Sequence, residues 1–372
     1  MTAQPITVHA AVLKEAHVPF TIEQFTLEPP RVGEVLVRIV ATGMCHTDAA
    51  VREGQLPTPF PVVLGHEGAG VVEAVGAGVT KVAPGDHVVL TVDSCGICDQ
   101  CLSGHPSICA SCFPLNFAGA RPDGSHALCG AHGPVNDRFF GQSSFATHAL
   151  ATERNVVKVP KDVPLELLGP LACGIQTGAG SVLNGLRVGF GESFAVFGSG
   201  AVGLAAVMAA RACGAGTIIA VDLHAPRLEL AMELGATHTI DGRDSDLVGK
   251  IVEITGSGVH YALDTTGNVK VIANAIEALR MGGTCGILGA SEPGAMLQLP
   301  VGPFMSSSKR LRGIVEGDSV PDVLIPQMID LYRQGRFPFD RLVRFYALDQ
   351  INEALADSEK GLTVKPVIRM PA

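Results

Sequence analysis

Four cysteines in one short stretch, Cys95, Cys98, Cys101 and Cys109, follow a C-x2-C-x2-C-x7-C pattern. Four thiolates from one lobe can close a tetrahedron around Zn²⁺, and closed sites of this kind are structural. The ion then replaces the apolar core that such a loop lacks. The same thiols could instead be packed cysteines or hold an iron–sulfur cluster. A ferredoxin run, however, places its next cysteine after three residues and before a proline. Cys112 is surplus to a four-ligand site.

A second set is dispersed: Cys45-His46-Thr47-Asp48, Gly65-His66-Glu67 and Ala172-Cys173-Gly174. A catalytic zinc needs three protein ligands and one open position, and Cys45, His66 and Cys173 could supply the first three. Asp48 and Glu67, each beside such a residue, are carboxylates able to orient an imidazole or tune the ion. Taken singly, a cysteine or histidine is more often a packed core residue. The set gains weight from its company.

That company includes Gly198-Ser199-Gly200-Ala201-Val202-Gly203, a G-x-G-x-x-G run between an apolar segment and an alanine-rich one. The first glycine allows a tight turn, the second lets backbone approach a pyrophosphate, and the third lets helix pack on strand. Asp222 stands 19 residues beyond Gly203. A carboxylate there accepts from both ribose hydroxyls and repels a 2′-phosphate, which favours NAD over NADP. Arg227 is near enough to soften that preference.

The elements that must carry these residues differ along the chain. Before residue 150, Glu34–Val40, Gly70–Val75 and His87–Val92 read as strands broken by Gly and Pro turns. From about 93 to 139 the chain is irregular. After Pro170 strands and helices alternate: strands at Ser193–Phe197, Thr217–Val221, Val259–Asp264 and Thr284–Leu288, helices at Ala201–Ala212, Arg227–Leu234 and Val269–Arg280. That succession predicts a parallel sheet. Helices at Val323–Arg333 and Leu348–Ser358 follow. The expected class is α/β, with a doubly wound Rossmann domain inserted into a β-rich one.

Composition agrees with an enzyme. At about 150 residues per domain, 372 residues suggest two or three domains. Apolar residues at 47% and charged ones at 17% allow a large core, and 27 basic against 36 acidic residues give −9, the wrong sign for a nucleic-acid binder. The uncharged run Ser193–Ala210 reaches the lower limit for a membrane span, but its glycines and serines read as strand, turn and helix. No membrane association is expected. With ten cysteines and no secretory signal evident at the amino end, a reducing, cytoplasmic setting is expected.

Together these motifs resemble the zinc-dependent medium-chain alcohol dehydrogenases. Gly65-His66-Glu67-Gly68-Ala69-Gly70, running on to Gly76, is similar to that family's zinc signature, and the likeness covers essentially the whole chain. Gly43–Asp48, Asn116–Gly119, Asn136–Thr147, Glu166–Gly178 and Phe337–Leu342 resemble the bacterial aryl-alcohol (benzyl alcohol) dehydrogenases. Geraniol and perillyl alcohol dehydrogenases share much of this, including Glu316-Gly317-Asp318 and Gln350–Ala354.

The resemblance implies a GroES-like, zinc-binding catalytic domain (1–174 and 318–372) around an NAD-binding Rossmann domain (175–317). It implies two zinc ions per chain, one catalytic on Cys45, His66 and Cys173 and one structural on Cys95, Cys98, Cys101 and Cys109. Thr47 becomes the hydroxyl beside the reacting oxygen, His46 and Lys365 lie near the cofactor phosphates, and Asp48 and Glu67 back the ion. Thr177, Leu288 and Ala290 flank the nicotinamide, joining Gly198, Gly200, Ala201, Val202, Gly203, Asp222 and Arg227 at the cofactor. Ala50 departs from the family, many of whose members place a proton-relaying histidine there.

The expected reaction is NAD-dependent oxidation of a primary aromatic alcohol to its aldehyde, with a terpenoid alcohol as the alternative substrate. Phe117, Phe139 and Phe140 are candidate pocket walls, although buried core is the commoner role for any one of them. A zinc- and NAD-binding regulatory protein without catalysis is the non-enzymatic alternative. A homodimer or homotetramer is expected, with the segment from Thr284 to Met305 as a sheet edge seeking a partner.

Overall fold

The computed structural model describes residues 4–371. The chain divides into two compact units: Met1–Cys173 with Val320–Pro326 and Asp340–Ala372, and Gly174–Ser319 with Gln327–Phe339.

The first unit is built on two sheets. In one, Glu34–Gly43 pairs antiparallel with Glu67–Val75, His148–Thr152 and Lys365–Arg369. The order continues through His87–Leu90 to Val156–Val159 on one side and through Lys365–Arg369 to Val343–Ala347 on the other. Glu34–Gly43 is central, which is why its β-branched and apolar residues are buried on both faces. The second sheet runs Val62–Val63, Ile6–Leu13, Thr21–Leu27, Leu128–Gly130, Gly133–Val135. The three strands expected before residue 150 are present. The irregular stretch after Asp93 holds the short helices Asp99–Leu102, Pro106–Ile108 and Cys112–Phe117 and the small hairpin at 128–135.

The second unit contains a parallel six-stranded sheet. Its strands are β1 (Ser193–Phe197), β2 (Thr217–Asp222), β3 (His238–Asp241), β4 (Val259–Asp264), β5 (Leu279–Ile287) and β6 (Arg310–Gly313), in the order β3-β2-β1-β4-β5-β6. This is the doubly wound Rossmann order, which reverses between β1 and β4. The uncharged run 193–210 is β1 plus the buried helix Ala201–Ala212. Among the described residues no helix is long and apolar enough to cross a membrane.

Two expectations need correction. Helix Val269–Glu277 stops short of Arg280, because Leu279 pairs with Val259 and begins β5. The Thr284–Leu288 segment is not a sheet edge either. β6 pairs along it from Thr284↔Arg310 to Ile287↔Gly313, so the edge is β6. Charged arginines at 310 and 312 hid that strand in the sequence.

Candidate metal centres and nucleotide loop

Each ligand of the dispersed set comes from the end of an element in the first unit. Cys45 is the N-cap of helix His46–Arg52, His66 precedes strand Glu67–Val75, and Cys173 follows the turn Gly169–Ala172. Ligand atoms of Cys45, His66, Glu67 and Cys173 all lie within 4.8 Å of one another. Asp48 organises two of them. Its Oδ2 accepts from the Cys45 N–H at 2.9 Å, and its Oδ1 accepts from the Gly65 N–H and contacts His66 Nδ1, both at 3.1 Å. With Nδ1 engaged, His66 Nε2 remains as a buried atom without a hydrogen-bond partner. An orphaned imidazole nitrogen beside two thiols is the donor set a zinc ion satisfies. The Cys45 thiol is held well below its ordinary range, first by its hydrogen bond with Cys173 and then, against burial, by His66 and Lys365.

Glu67 has a charged partner of its own. Lys365 is 2% exposed, and its Nζ is 2.7 and 2.9 Å from the Glu67 carboxylate oxygens and 3.2 Å from the Met44 carbonyl. It is therefore committed to Glu67 beside the metal ligands, a contact that the resemblance did not imply. Burial works against its charge, but Glu67 and Cys45 outweigh that and hold its pKa above the ordinary lysine value. Gly43 makes the room, since a Cβ there would fall 1.9 Å from Glu67 Oε2. The signal that could have placed Lys365 is Glu67 itself, a carboxylate inside an apolar strand that requires a cation.

Aromatic rings close over His66. Phe140 stacks on the imidazole at 4.5 Å between centroids, Phe139 meets it edge-on at 5.5 Å, and Phe117 packs against both phenylalanines at 5.2 and 5.9 Å. The segment carrying them holds two non-glycine residues at positive φ, Phe140 (51°) and Ser143 (53°). Bulky residues persist there only where their surroundings enforce it. Gln142, 1% exposed, supplies part of that enforcement. Its Oε1 accepts from the Gly68 N–H at 3.1 Å, and its Nε2 donates to the carbonyls of His66 at 3.0 Å and Leu90 at 3.1 Å. Sequence reasoning missed Gln142, since nothing distinguishes it from the polar residues around it.

Cys95, Cys98, Cys101 and Cys109 form the second cluster, again within 4.8 Å, and Cys112 is not part of it. Backbone N–H groups of Cys98, Cys95 and Ser111 donate to sulfurs at 3.2–3.3 Å. Donors of this kind lower Cys98 to about 6, while burial pushes Cys109 up to about 12. Thiols so crowded ionise together only around a cation, and the closed set suits a structural zinc. All ten cysteines are free of disulfides.

In the second unit Gly198 adopts φ +96°, and a Cβ on Gly203 would lie 1.9 Å from the Gly198 carbonyl oxygen. Gly200, by contrast, faces open space and caps helix Ala201–Ala212 without a side-chain hydrogen bond. The loop therefore leaves a cradle of free N–H groups, including those of Ala201 and Val202, at a helix N-terminus, which fits a pyrophosphate. Asp222 ends β2 with Oδ2 accepting from the Ser199 N–H at 2.6 Å, and Arg227 stands 3.9 Å from it. Leu288 and Ala290 follow β5, half-buried and exposed respectively, and Thr177 lies on helix Gly174–Gly180. His46 is exposed and Thr47 half-buried, the Thr47 hydroxyl 3.8 Å from Cys45 Sγ.

Comparison with known proteins agrees with this geometry. Residues 31–161 match the alcohol dehydrogenase GroES-like domain and residues 201–334 match the zinc-binding dehydrogenase domain. The chain is 51% identical to a geraniol dehydrogenase of Castellaniella defragrans over 98% of both sequences. Among solved structures, it is similar to an alcohol dehydrogenase zinc-binding domain protein from Burkholderia ambifaria, with TM-score 0.98 and 56% identity over 99% of this chain and 100% of that one. Benzyl alcohol dehydrogenase from Acinetobacter calcoaceticus superposes with TM-score 0.96 and 49% identity, over 98% of this chain and 100% of that one.

Proposed function

The chain belongs to the zinc-dependent medium-chain alcohol dehydrogenases, and from that premise we propose that it oxidises a primary aromatic, benzyl-type alcohol to the aldehyde with NAD. The observation that supports the substrate class is the aromatic packing at His66. Phe139 and Phe140 lie buried on its imidazole as part of the core, and so apolar an environment beside the ligand suits a conjugated alcohol. A terpenoid allylic alcohol is the second reading, favoured by the identity to a geraniol dehydrogenase.

Zinc on Cys45, His66 and Cys173 would supply Lewis acidity toward the hydroxyl oxygen, and NAD the hydride acceptor. The chain's own residues do the rest. Asp48 fixes the His66 tautomer by engaging Nδ1. Thr47 offers a hydroxyl beside Cys45 that receives the alcohol's proton and passes it on. Ala50 is buried and carries no titratable group, and the exposed His46 beside Thr47 is the group proposed to pass the proton to solvent. The phenylalanines exclude water. The non-enzymatic reading loses ground against the match to a dehydrogenase along nearly the whole chain.

The reading extends to a homodimer or homotetramer assembled through β6 and to a reducing, cytoplasmic setting, the latter supported by two thiol clusters that must stay reduced to hold metal. Initial rates of NAD reduction with benzyl alcohol, geraniol and ethanol at equal subsaturating concentration test the substrate. Preference for benzyl alcohol is expected. Preference for geraniol moves the assignment to terpenoids, and a Cys45→Ala protein that still turned over at wild-type rate would sink the zinc mechanism.

A further inference from the structure

The Glu316-Gly317-Asp318 turn belongs to neither thiol cluster nor to the glycine-rich loop. Its backbone is unusual: three successive residues have positive φ, at 48°, 65° and 48°. Two of them carry side chains, which adopt that region only when held there. Several contacts hold it. Asp318 pairs with Arg312, whose other arm donates to the Gly185 carbonyl at 2.6 Å, and Ser319 Oγ donates to the Glu316 carbonyl. Gly317 lies so close to Gly180 that a Cβ on Gly180 would fall 2.5 Å from the Gly317 oxygen.

What this strained turn presents is a carboxylate. Glu316 Oε2 accepts from Gln176 Nε2 at 3.1 Å and from Thr177 Oγ1 at 3.4 Å, both on helix Gly174–Gly180. The strand order indicates what it faces. A dinucleotide on such a sheet straddles the reversal between β1 and β4, with its pyrophosphate on the helix after β1. Asp222, ending β2, takes the adenosine side. The nicotinamide half must then extend over the carboxyl ends of β4, β5 and β6, and Glu316 follows the end of β6 by three residues.

We propose that Glu316 selects the charge state of the cofactor: its carboxylate faces the nicotinamide half and favours the cationic ring of NAD⁺ over the neutral ring of NADH. The inference rests on the reading that this sheet binds NAD. No bond is made or broken by Glu316; it shifts the balance between the two bound cofactor forms and, with it, the internal equilibrium between alcohol and aldehyde. Through Gln176 and Thr177 it also holds the helix that flanks the ring.

Dissociation constants answer the question without turnover. NADH is titrated by its fluorescence, and NAD⁺ by competition against NADH, in the wild-type protein, Glu316→Gln and Glu316→Asp. Glu316→Gln keeps the shape and an acceptor for Thr177. It is expected to weaken NAD⁺ about five- to tenfold, the effect of one unit charge in a partly exposed site, while NADH changes less than about twofold. Glu316→Asp keeps the charge and should retain the NAD⁺ preference even if both forms bind less tightly. A purely structural turn would weaken both forms by the same factor in Glu316→Gln, and that result, or no change at all, overturns the proposal. If the wild-type protein binds neither form, the NAD reading itself falls with it.

Discussion

Single side chains around His66 each hold more than one group in place. Asp48 takes the imidazole N–H and two backbone N–H groups, and Gln142 clamps the backbone on both sides of Glu67. Lys365 takes the Glu67 carboxylate. Both partners of this last pair are almost completely buried, so breaking it from one side strands a charge in low dielectric. Lys365→Met is expected to cost about 3–5 kcal/mol in denaturant unfolding, and the Glu67→Gln/Lys365→Met double variant to recover most of it. A single-variant loss below about 1 kcal/mol would mean that water reaches the pair and the charge is not stranded.

Elements position these side chains by where they end. Cys45 caps a helix, His66 precedes a strand, and Cys173 leaves a short turn, so three ligands meet without any of them sitting inside a regular element. The lobe at 95–109 works differently, since its two small helices, Asp99–Leu102 and Pro106–Ile108, bury almost nothing. Its order must come from the ion. Cys98→Ser is therefore expected to lower bound zinc from about two to about one per chain and to open the lobe to limited proteolysis, with the His66 cluster still loaded. Metal analysis together with mapping of the first cleavage checks this; an intact lobe after metal loss would show that its backbone hydrogen bonds suffice.

At the scale of the whole molecule, the open side of β6 is the feature that calls for a partner. All four of its residues are exposed. Apolar side chains before and after it are also exposed, Val301 at 80%, Met305 at 71% and Val315 at 48%. An unpaired edge flanked by such a patch suits the proposed homo-oligomer, and a two-fold axis would let the same edge serve both copies. Sedimentation at micromolar concentration is expected to give at least twice the chain mass of 38.6 kDa. Val301→Glu/Met305→Lys is expected to shift the protein toward the monomer, and a wild-type monomer at that concentration would remove the edge as an interface.

Motif spacing determined much of this protein by itself. The C-x2-C-x2-C-x7-C lobe, the glycine loop with Asp222 and the apolar strands β1, β2, β4 and β5 were legible because each depends on near neighbours in the chain, whereas the sheet of Ile6–Leu13 and Thr21–Leu27 was not. The apolar runs of β1, β2 and β4 announce strands buried on both faces for the same reason. Tertiary structure decided what depends on distant partners. Lys365 pairs with Glu67 across 298 positions, the helix expected to reach Arg280 gives up its last turn so that Leu279 can pair with Val259, and the polar β6 becomes a strand only because β5 offers it an edge. Phe140 joins His66 only when its segment is forced to a positive φ. In each case desolvation and packing, which no local pattern records, outweighed the preference of the segment alone.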